Sequence, residues 1–238
     1  EAAEPLPVTV SKFGGVPYLP AGVEAPTDSD GVPMGMIAQI NCAELPDNPI
    51  YPPTGMVQFW VSTNACWGID KEENHHVIYY PQLGEANPDA VATCEDRERE
   101  FWWPIKHECA LEFTTPGREI FAPNDSINHP LLEKWNQAYP EQAITSLFDL
   151  DAYDVEEIEE FTGSGDYSRL GGLPDFVQGD PRREYPESSD IRRRTVNLLT
   201  INSNIGVLWG DCGTANWVIA PDRLAARDFS QVFYEWSC

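Results

Sequence analysis

The chain has 238 residues, and its 39 Asp and Glu residues against 15 Lys and Arg residues leave a formal net charge of −24. Because so acidic a surface repels phosphate and anionic lipid headgroups, the composition excludes a nucleic-acid-binding protein and a membrane-surface protein. Its 42% hydrophobic and 11% aromatic residues exclude a chain that stays disordered for lack of a core. We therefore expect a folded acidic protein whose charge suits a basic protein partner.

The pattern along the chain is one of short segments separated by 21 prolines and 17 glycines, which favours β-structure over long helices. Apolar or alternating runs predict strands at 36–41, 56–62, 77–80, 109–114, 195–202, 206–209, 216–220 and 231–236. Apolar periodicity predicts helices at 130–139, 147–161 and 222–228, with Asn128 as the N-cap of the first. The predicted class is α+β, predominantly antiparallel β, with a few short helices.

Two segments share a motif that predicts an internal repeat. Residues 13–17 read FGGVP and residues 170–174 read LGGLP, and each motif leads through a polar loop to a strand that ends in Ile-Asn. A glycine and an apolar strand with a tryptophan follow each, at 55–60 and 206–209. We expect a single domain over 1–238, in which two β-rich repeats, about 12–81 and 169–220, pack together, with a less typical middle segment at 82–165.

The predicted helix at 147–161 carries acidic residues on its outer side and no Lys or Arg. We interpret this side as a solvated helix face, and a docking surface for a basic partner is the alternative. No stretch approaches the roughly 18 apolar residues of a membrane span, and residues 1–5 do not resemble a signal peptide. The six cysteines lack CxxC spacing and are expected to be mostly reduced thiols of a cytoplasmic protein, with a secreted form left open.

Metal binding is not predicted. Asp28-Ser29-Asp30-Gly31 resembles part of a calcium loop, but Pro26 and Ile37 stand where further ligands are needed, so the segment is expected to be a polar turn. His75, His76, His107, Cys109 and His129 do not have the spacing of a zinc site. We expect no metal and no cofactor.

The segment Gly210-Asp211-Cys212-Gly213 is the candidate for nucleophilic catalysis, because a thiol in a tight turn after a strand can be exposed near backbone N–H groups. The candidate catalytic residues are Asp211, Cys212 and Asn216, with a histidine as base. The favoured interpretation is a structural turn, in which the glycines supply unusual φ angles.

One basic cluster lies between 182 and 194 and holds five of the 15 Lys and Arg residues. Such arginines could bind an anionic ligand, and tryptophans near strand ends could stack on a planar one. The candidate ligand-binding residues are Arg182, Arg192, Arg193, Arg194, Trp67 and Trp209. Pairing of the arginines with the protein's own acidic residues is the favoured interpretation.

The order of several motifs resembles the YwqG-like family of uncharacterised bacterial proteins. The motifs are KFGGVPYLP at 12–20, APTDSDGVP at 25–33, IAQIN at 37–41, WGID at 67–70, LGGLPDFVQGDPR at 170–182, WGDCGTAN at 209–216 and DRLAARDFS at 222–230. The resemblance implies a mixed fold rich in antiparallel sheet, a bacterial cytoplasmic location and no established reaction. It also implies an association with polymorphic toxin loci, where an immunity role has been suggested, and it supplies no catalytic residues.

The sequence therefore predicts a non-enzymatic acidic binding protein, of which an immunity-type partner of a basic toxin is one specific form. The alternative is a small-ligand-binding protein or hydrolase-like enzyme with a pocket between the two repeats. No nucleic-acid or membrane partner is expected, and the sequence leaves the oligomeric state open.

Overall fold

The computed structural model describes residues 5–92, 103–115, 130–145, 149–151, 167–204 and 206–238. The chain divides into two compact units. Unit 1 comprises Glu1–Thr115, Asn204–Leu208 and Ala226–Val232, and unit 2 comprises Pro116–Ser203, Trp209–Ala225 and Phe233–Cys238.

The first sheet has five strands in the order β4-β3-β2-β1-β5, and its paired strands run antiparallel. The strands are β1 (Lys12–Phe13), β2 (Gly35–Asn41), β3 (Met56–Val61), β4 (His75–Tyr80) and β5 (Cys109–Ala110). β2 and β3 are buried on both faces, which explains their nearly continuous apolar sequences. A core cluster of Leu19, Met34, Met36 and Trp60 packs on this sheet.

The second sheet has four strands in the order β6-β7-β8-β9. They are β6 (Arg169–Leu170), β7 (Val196–Asn202), β8 (Thr214–Ile219) and β9 (Val232–Ser237). An aromatic cluster covers one face: Trp217 stacks on Tyr234 with ring centroids 4.7 Å apart, and Trp209 lies 6.2 Å from both Trp217 and Trp236. Such pairs stabilise the sheet beyond the area that they bury.

Two α-helices lie in the described residues, α1 (Pro130–Ala138) and α2 (Pro221–Ala225). Short 3-10 turns lie at Cys42–Glu44, Glu72–Asn74, Pro140–Gln142, Pro181–Glu184 and Asp190–Arg193. Neither α-helix has the length and apolar character that crossing a bilayer requires. The predicted class, α+β with predominantly antiparallel sheet, is confirmed.

One predicted strand is wrong. Residues 206–209 form a turn with isolated bridges from Val207, and the strand that follows β7 is β8. Trp209 contributes to the aromatic cluster rather than to a strand. The chain turns directly after it, where the Gly213 N–H donates to the Trp209 carbonyl at 2.7 Å. The strand predicted at 109–114 is shortened to β5. The Asn128 cap and all of the predicted acidic helix except residues 149–151 lie outside the described residues.

Candidate functional site

A row of polar side chains crosses the second sheet, one on each strand. In the strand register, Arg169 of β6 is opposite Thr200 of β7, and Thr200 is opposite Asn216 of β8. Glu235 of β9 completes the row, because its carboxyl group lies beside the Asn216 side chain. Thr200 and Asn216 are fully buried, so this is a polar row inside unit 2 rather than on its surface.

The centre of this row holds the segment that follows the second Gly-Gly motif. Asn216 Nδ2 donates to the carbonyl of Asp175 at 2.7 Å, and Asn216 Oδ1 accepts from the Asp175 N–H at 2.9 Å. Thr200 Oγ1 donates to the same Oδ1 at 2.9 Å, and Asn197 Nδ2 donates to Thr200 Oγ1 and to the Gly171 carbonyl. These bonds explain why buried amides are needed here: they satisfy backbone groups of a loop that has no strand partner.

The first sheet has a row at the corresponding register. Lys12 of β1 is opposite Gln39 of β2, Gln39 is opposite Gln58 of β3, and Gln58 is opposite Ile78 of β4. Here Gln39 Oε1 accepts from the N–H of Tyr18 at 2.9 Å, and Gln58 Nε2 donates to the Tyr18 carbonyl at 2.6 Å. Tyr18 follows Pro17 as Asp175 follows Pro174. Both sheets therefore use side-chain amides to hold the residue after a Gly-Gly-x-Pro motif.

Two further features recur. The register of each second strand is interrupted three residues before the row, between Met36 and Ala38 in β2 and between Asn197 and Leu199 in β7. In each sheet a serine hydroxyl accepts from the N–H of the strand's last asparagine, Ser11 in the first and Ser168 in the second.

The two rows differ in chemistry where they end. In unit 1 the held residue is Tyr18, whose fully buried ring packs edge-on against Tyr80 at 5.9 Å, and the row ends on apolar Ile78. In unit 2 the held residue is Asp175, and the row ends on Glu235. Ionisable groups thus stand in unit 2 where unit 1 has aromatic and aliphatic packing, which identifies the row in unit 2 as the candidate site.

Glu235 is the carboxyl group of this row, and its pKa is strongly shifted. Burial raises its pKa to about 7, the polar side chains of Ser237 and Asn216 offset this only in part, and the negative charges of Asp180 and Asp175 raise it further. Its Oε2 is buried, and no described residue donates a hydrogen bond to it. A carboxyl group of this pKa exchanges a proton near neutral pH, so it can act as an acid or a base.

The two arginine side chains near this row are bonded to other groups of the chain. Burial lowers the pKa of Arg169, the charge of Asp175 opposes this, and Arg169 Nε donates to the Leu173 carbonyl at 2.9 Å. Arg182 is fully buried and makes a two-point contact with Asp180, from Nε at 2.9 Å and from Nη2 at 2.8 Å.

The predicted arginine cluster binds its own chain. Arg182 Nη1 donates to the Arg194 carbonyl at 2.6 Å, and Arg194 is buried with an ion pair of 3.5 Å to Asp190. Arg193 is exposed and pairs with Asp222 at 2.8 Å. Arg192 donates from Nε to the Tyr185 carbonyl at 2.8 Å. These contacts match the interpretation in which the arginines pair internally.

The candidate catalytic residues occupy different environments. Asp211 and Cys212 are exposed in the turn before β8, where Cys212 has a φ of +92°. Asn216 is buried, with both ends of its amide bonded in the polar row. Among the described residues of unit 2 there is no histidine, and a nucleophilic role for Cys212 stays a prediction.

The candidate tryptophans are both in packed surroundings. Trp209 is fully buried and Trp67 is 7% exposed, so their rings are not open to a ligand from solvent. Trp67 has a left-handed backbone, with φ of +48°, and Gly68 follows at +82°. Asn64 stabilises this turn because its Oδ1 accepts from the N–H of Gly68 at 3.1 Å.

The turn at Asp28 uses its carboxylate internally. Asp28 Oδ1 accepts from the N–H groups of Asp30 and Val32, and Oδ2 accepts from the Ser62 hydroxyl at 2.7 Å. Burial opposes ionisation of Asp28, but these hydrogen bonds outweigh it and lower its pKa. Across the described ranges, no three His, Cys, Asp or Glu side chains are placed to hold a metal ion.

A family model described as a domain of unknown function, DUF1963, matches residues 11–238. The chain belongs to this family. The DUF1963 match includes both Gly-Gly-x-Pro motifs and every strand of both sheets, so the two polar rows lie wholly within the family domain. No curated protein matches the chain.

Arg169 and Glu235 were not among the site residues predicted from the sequence. The comparison of FGGVPY with LGGLPD was a usable signal for Asp175, because the tyrosine of one motif, which is buried in the structure, is replaced by an aspartate in the other. Glu235 gave no such signal, since a glutamate in an alternating strand is ordinarily on the solvent side.

Proposed function

We propose that this protein is a non-enzymatic binding protein for a basic partner protein, and that neutralising a basic toxin, as an immunity protein does, is one form of this role. We place it in the bacterial cytoplasm, in the YwqG-like branch that its motifs resemble. The proposal rests on the distribution of charge.

The observation that carries the proposal is that three of the few basic residues, Lys12, Arg182 and Arg194, are buried in the chain, while most of the described carboxylates are exposed. Lys12 is fully buried and pairs with Glu108 at 2.6 Å, and Arg182 is fully buried against Asp180. With 15 basic residues against 39 acidic ones, internal pairing leaves fewer cations to offset the surface. A surface of one sign attracts a partner of the other and speeds its association.

The best-defined acidic surface is in unit 1. We name it the Asp70 surface, and its acidic members are the exposed residues Asp30, Asp70, Glu72 and Glu73, which outnumber the one exposed cation beside them, Lys71. Asn74 joins its two loops, because its Oδ1 accepts from the Ser29 N–H at 3.0 Å while its Nδ2 donates to Asp70 at 3.1 Å. Hydrogen bonds from Asn74 and Asn64, together with the charge of Lys71, lower the pKa of Asp70 and so favour its carboxylate form.

The test is affinity capture on the immobilised chain from an extract of the source cells. At about 50 mM salt the charge attraction operates over roughly 14 Å, and at about 500 mM over only a few Å. We expect a basic protein to be retained at low salt and released at high salt. Recovery of acidic or neutral proteins alone, or retention that salt does not change, would contradict the proposal.

A second candidate function is favoured by Glu235. A buried carboxyl group with a pKa of about 7 and an unbonded Oε2 suits binding of a small ligand through a donated or accepted proton. A thermal-shift screen of small molecules at pH 6 and pH 8 tests it. A ligand that stabilises the parent chain but not Glu235→Gln supports this function, and a screen in which both chains respond alike counts against it.

A further inference from the structure

The turn that contains Cys212 is built around a second cysteine. A side chain at Gly210 would overlap Cys238 Sγ, and a Cβ at Gly213 would lie 2.6 Å from Cys238 Cβ and overlap the Ser237 carbonyl. The motif Gly-Asp-Cys-Gly therefore needs glycine at both ends because Cys238 fills the space beside them. This contact lies entirely within unit 2.

Cys212 belongs to the same turn. Its Cα is one peptide, about 3.8 Å, from the Gly213 Cα, which is itself within about 4 Å of Cys238 Cβ, since a carbon–carbon bond is about 1.5 Å. These links place the Cα atoms of Cys212 and Cys238 within about 9 Å of each other, and a disulfide needs them about 4.4 to 6.8 Å apart, so the exposed turn has to close by no more than about 3 Å. Cys212 and Cys238 are both free and exposed, so an oxidant in solution reaches either thiol.

The surroundings of Cys238 are already ordered. Gln178 Nε2 donates to the Cys238 carbonyl at 2.5 Å, and Trp209 and Trp236, which flank the turn and the end of β9, lie 6.2 Å apart. Residues held in place by such contacts lose little further freedom when a covalent bond joins them.

We propose that Cys212 and Cys238 are a redox-responsive pair that forms a disulfide within unit 2. The oxidant is a low-molecular-weight disulfide such as oxidised glutathione. The thiolate of one cysteine attacks it, forms a mixed disulfide and expels one glutathione thiolate. The second cysteine then attacks the protein sulfur of the mixed disulfide and expels the other glutathione. Two protein thiols are oxidised, one glutathione disulfide is reduced to two thiols, and the two protons pass from the cysteines to glutathione.

This bond would fasten the residue after β9 to the turn before β8, across two neighbouring strands. It would close a chain loop of residues 213–237, and closing a loop restricts the unfolded chain. We therefore expect oxidation to raise the melting temperature of the chain and reduction to reverse the rise.

The experiment treats the full chain with oxidised glutathione, blocks remaining thiols and maps the peptides by mass spectrometry. We expect a crosslinked peptide pair that contains Cys212 and Cys238 and that disappears on reduction. In Cys212→Ser the remaining Cys238 should carry glutathione instead, and the reverse should hold for Cys238→Ser. Cys66→Ser, which removes an exposed cysteine of unit 1, is the matched control and should leave the crosslink unchanged.

Separate glutathione adducts on Cys212 and Cys238 in the parent chain, without the crosslinked pair, would overturn the proposal. So would a crosslink that survives in Cys212→Ser. Because both positions are exposed, the serine variants should fold, and circular dichroism of each variant checks this before oxidation.

Discussion

Asn216 holds Asp175 by both ends of its side-chain amide, with Nδ2 donating at 2.7 Å to the carbonyl and Oδ1 accepting at 2.9 Å from the N–H of the same residue. Gln58 and Gln39 share this task for Tyr18 in unit 1. A side-chain amide can replace a strand partner in this way because it carries one donor group and one acceptor in the arrangement of a peptide. The buried amides in both sheets are therefore explained first by the loops that they hold.

Asn216→Ala should destabilise unit 2, because it leaves the Asp175 N–H and the Thr200 hydroxyl without their acceptor, although the Asp175 carbonyl keeps the Thr214 hydroxyl as a donor. Each buried polar group that loses its hydrogen bond costs about 1 to 3 kcal/mol, so we expect a loss of about 2 to 5 kcal/mol. Chemical denaturation measures it. Gln137→Ala, on the exposed side of α1, is the control and should change stability by less than about 0.5 kcal/mol. Equal effects in the two variants would contradict this role of Asn216.

Arg182→Met should be far more damaging than Arg193→Met. The first variant leaves Asp180 buried without its cation, which costs about 3 to 5 kcal/mol. The second removes an exposed pair with Asp222, which contributes about 1 kcal/mol or less. Urea denaturation of both variants makes the comparison. Similar midpoints for the two variants would show that the buried pair does not stabilise unit 2.

Glu235→Gln should change how stability depends on pH. The folded pKa of Glu235 is raised to about 7 from an ordinary value of 4.5, so the folded state binds this proton more tightly than the unfolded state. Ionisation therefore lowers stability as the pH rises from about 4.5 through 7, by about 3 kcal/mol in total. The variant should be more stable than the parent at pH 8, by about 1 to 3 kcal/mol, and the two should converge near pH 5.

Denaturation midpoints measured from pH 5 to pH 8 test this prediction for Glu235. Glu187→Gln, which changes an exposed glutamate of the same unit, is the matched control and should follow the parent at every pH. A constant difference between Glu235→Gln and the parent over this range would mean that Glu235 keeps an ordinary pKa.

Gly68→Ala should destabilise unit 1 more than Gly22→Ala. Both glycines have positive φ, +82° and +76°, so an alanine is strained at either position by about 1 kcal/mol. At Gly68 the added Cβ would also overlap the Asn74 carbonyl, whereas at Gly22 it would meet open space. Thermal denaturation should give the lower melting temperature for Gly68→Ala, and the reverse order would contradict the packing of the turn.

Local sequence patterns identified much of the fold. The strand predicted at 36–41 is β2 without its first residue, because its apolar run is bounded by turn residues. The strand predicted at 206–209 failed because the apolar character of Trp209 reflects packing against Trp217 and Trp236, which lie later in the chain. Glycines at 210 and 213 correctly indicated a turn. The motif does not show that both positions need glycine because Cys238 packs against them.

The candidate site depends on contacts that the sequence does not show. Alternation in 231–236 correctly separates Glu235 from Tyr234, yet it assigns no environment to either face. Asn216 holds Asp175, the residue after the Gly-Gly-x-Pro motif, over the polar face of the sheet. Glu235, which alternation would assign to solvent, is therefore largely shielded from water. Only the paired register reveals that Arg169, Thr200 and Asn216 form one row.

The most direct test of the proposed function compares two triple variants in the capture experiment and in calorimetric titration of the captured partner. Asp30→Asn/Glu72→Gln/Glu73→Gln neutralises the Asp70 surface and leaves Asp70 itself to hold Asn64 and Asn74. Glu24→Gln/Asp47→Asn/Glu85→Gln removes the same charge from other exposed positions of unit 1.

At about 0.5 kcal/mol for each lost charge pair, the first variant should bind a basic partner about tenfold more weakly than the parent at low salt, while the second binds nearly as the parent does. Capture of no basic partner, or equal affinity for all three chains at low salt, would contradict the account.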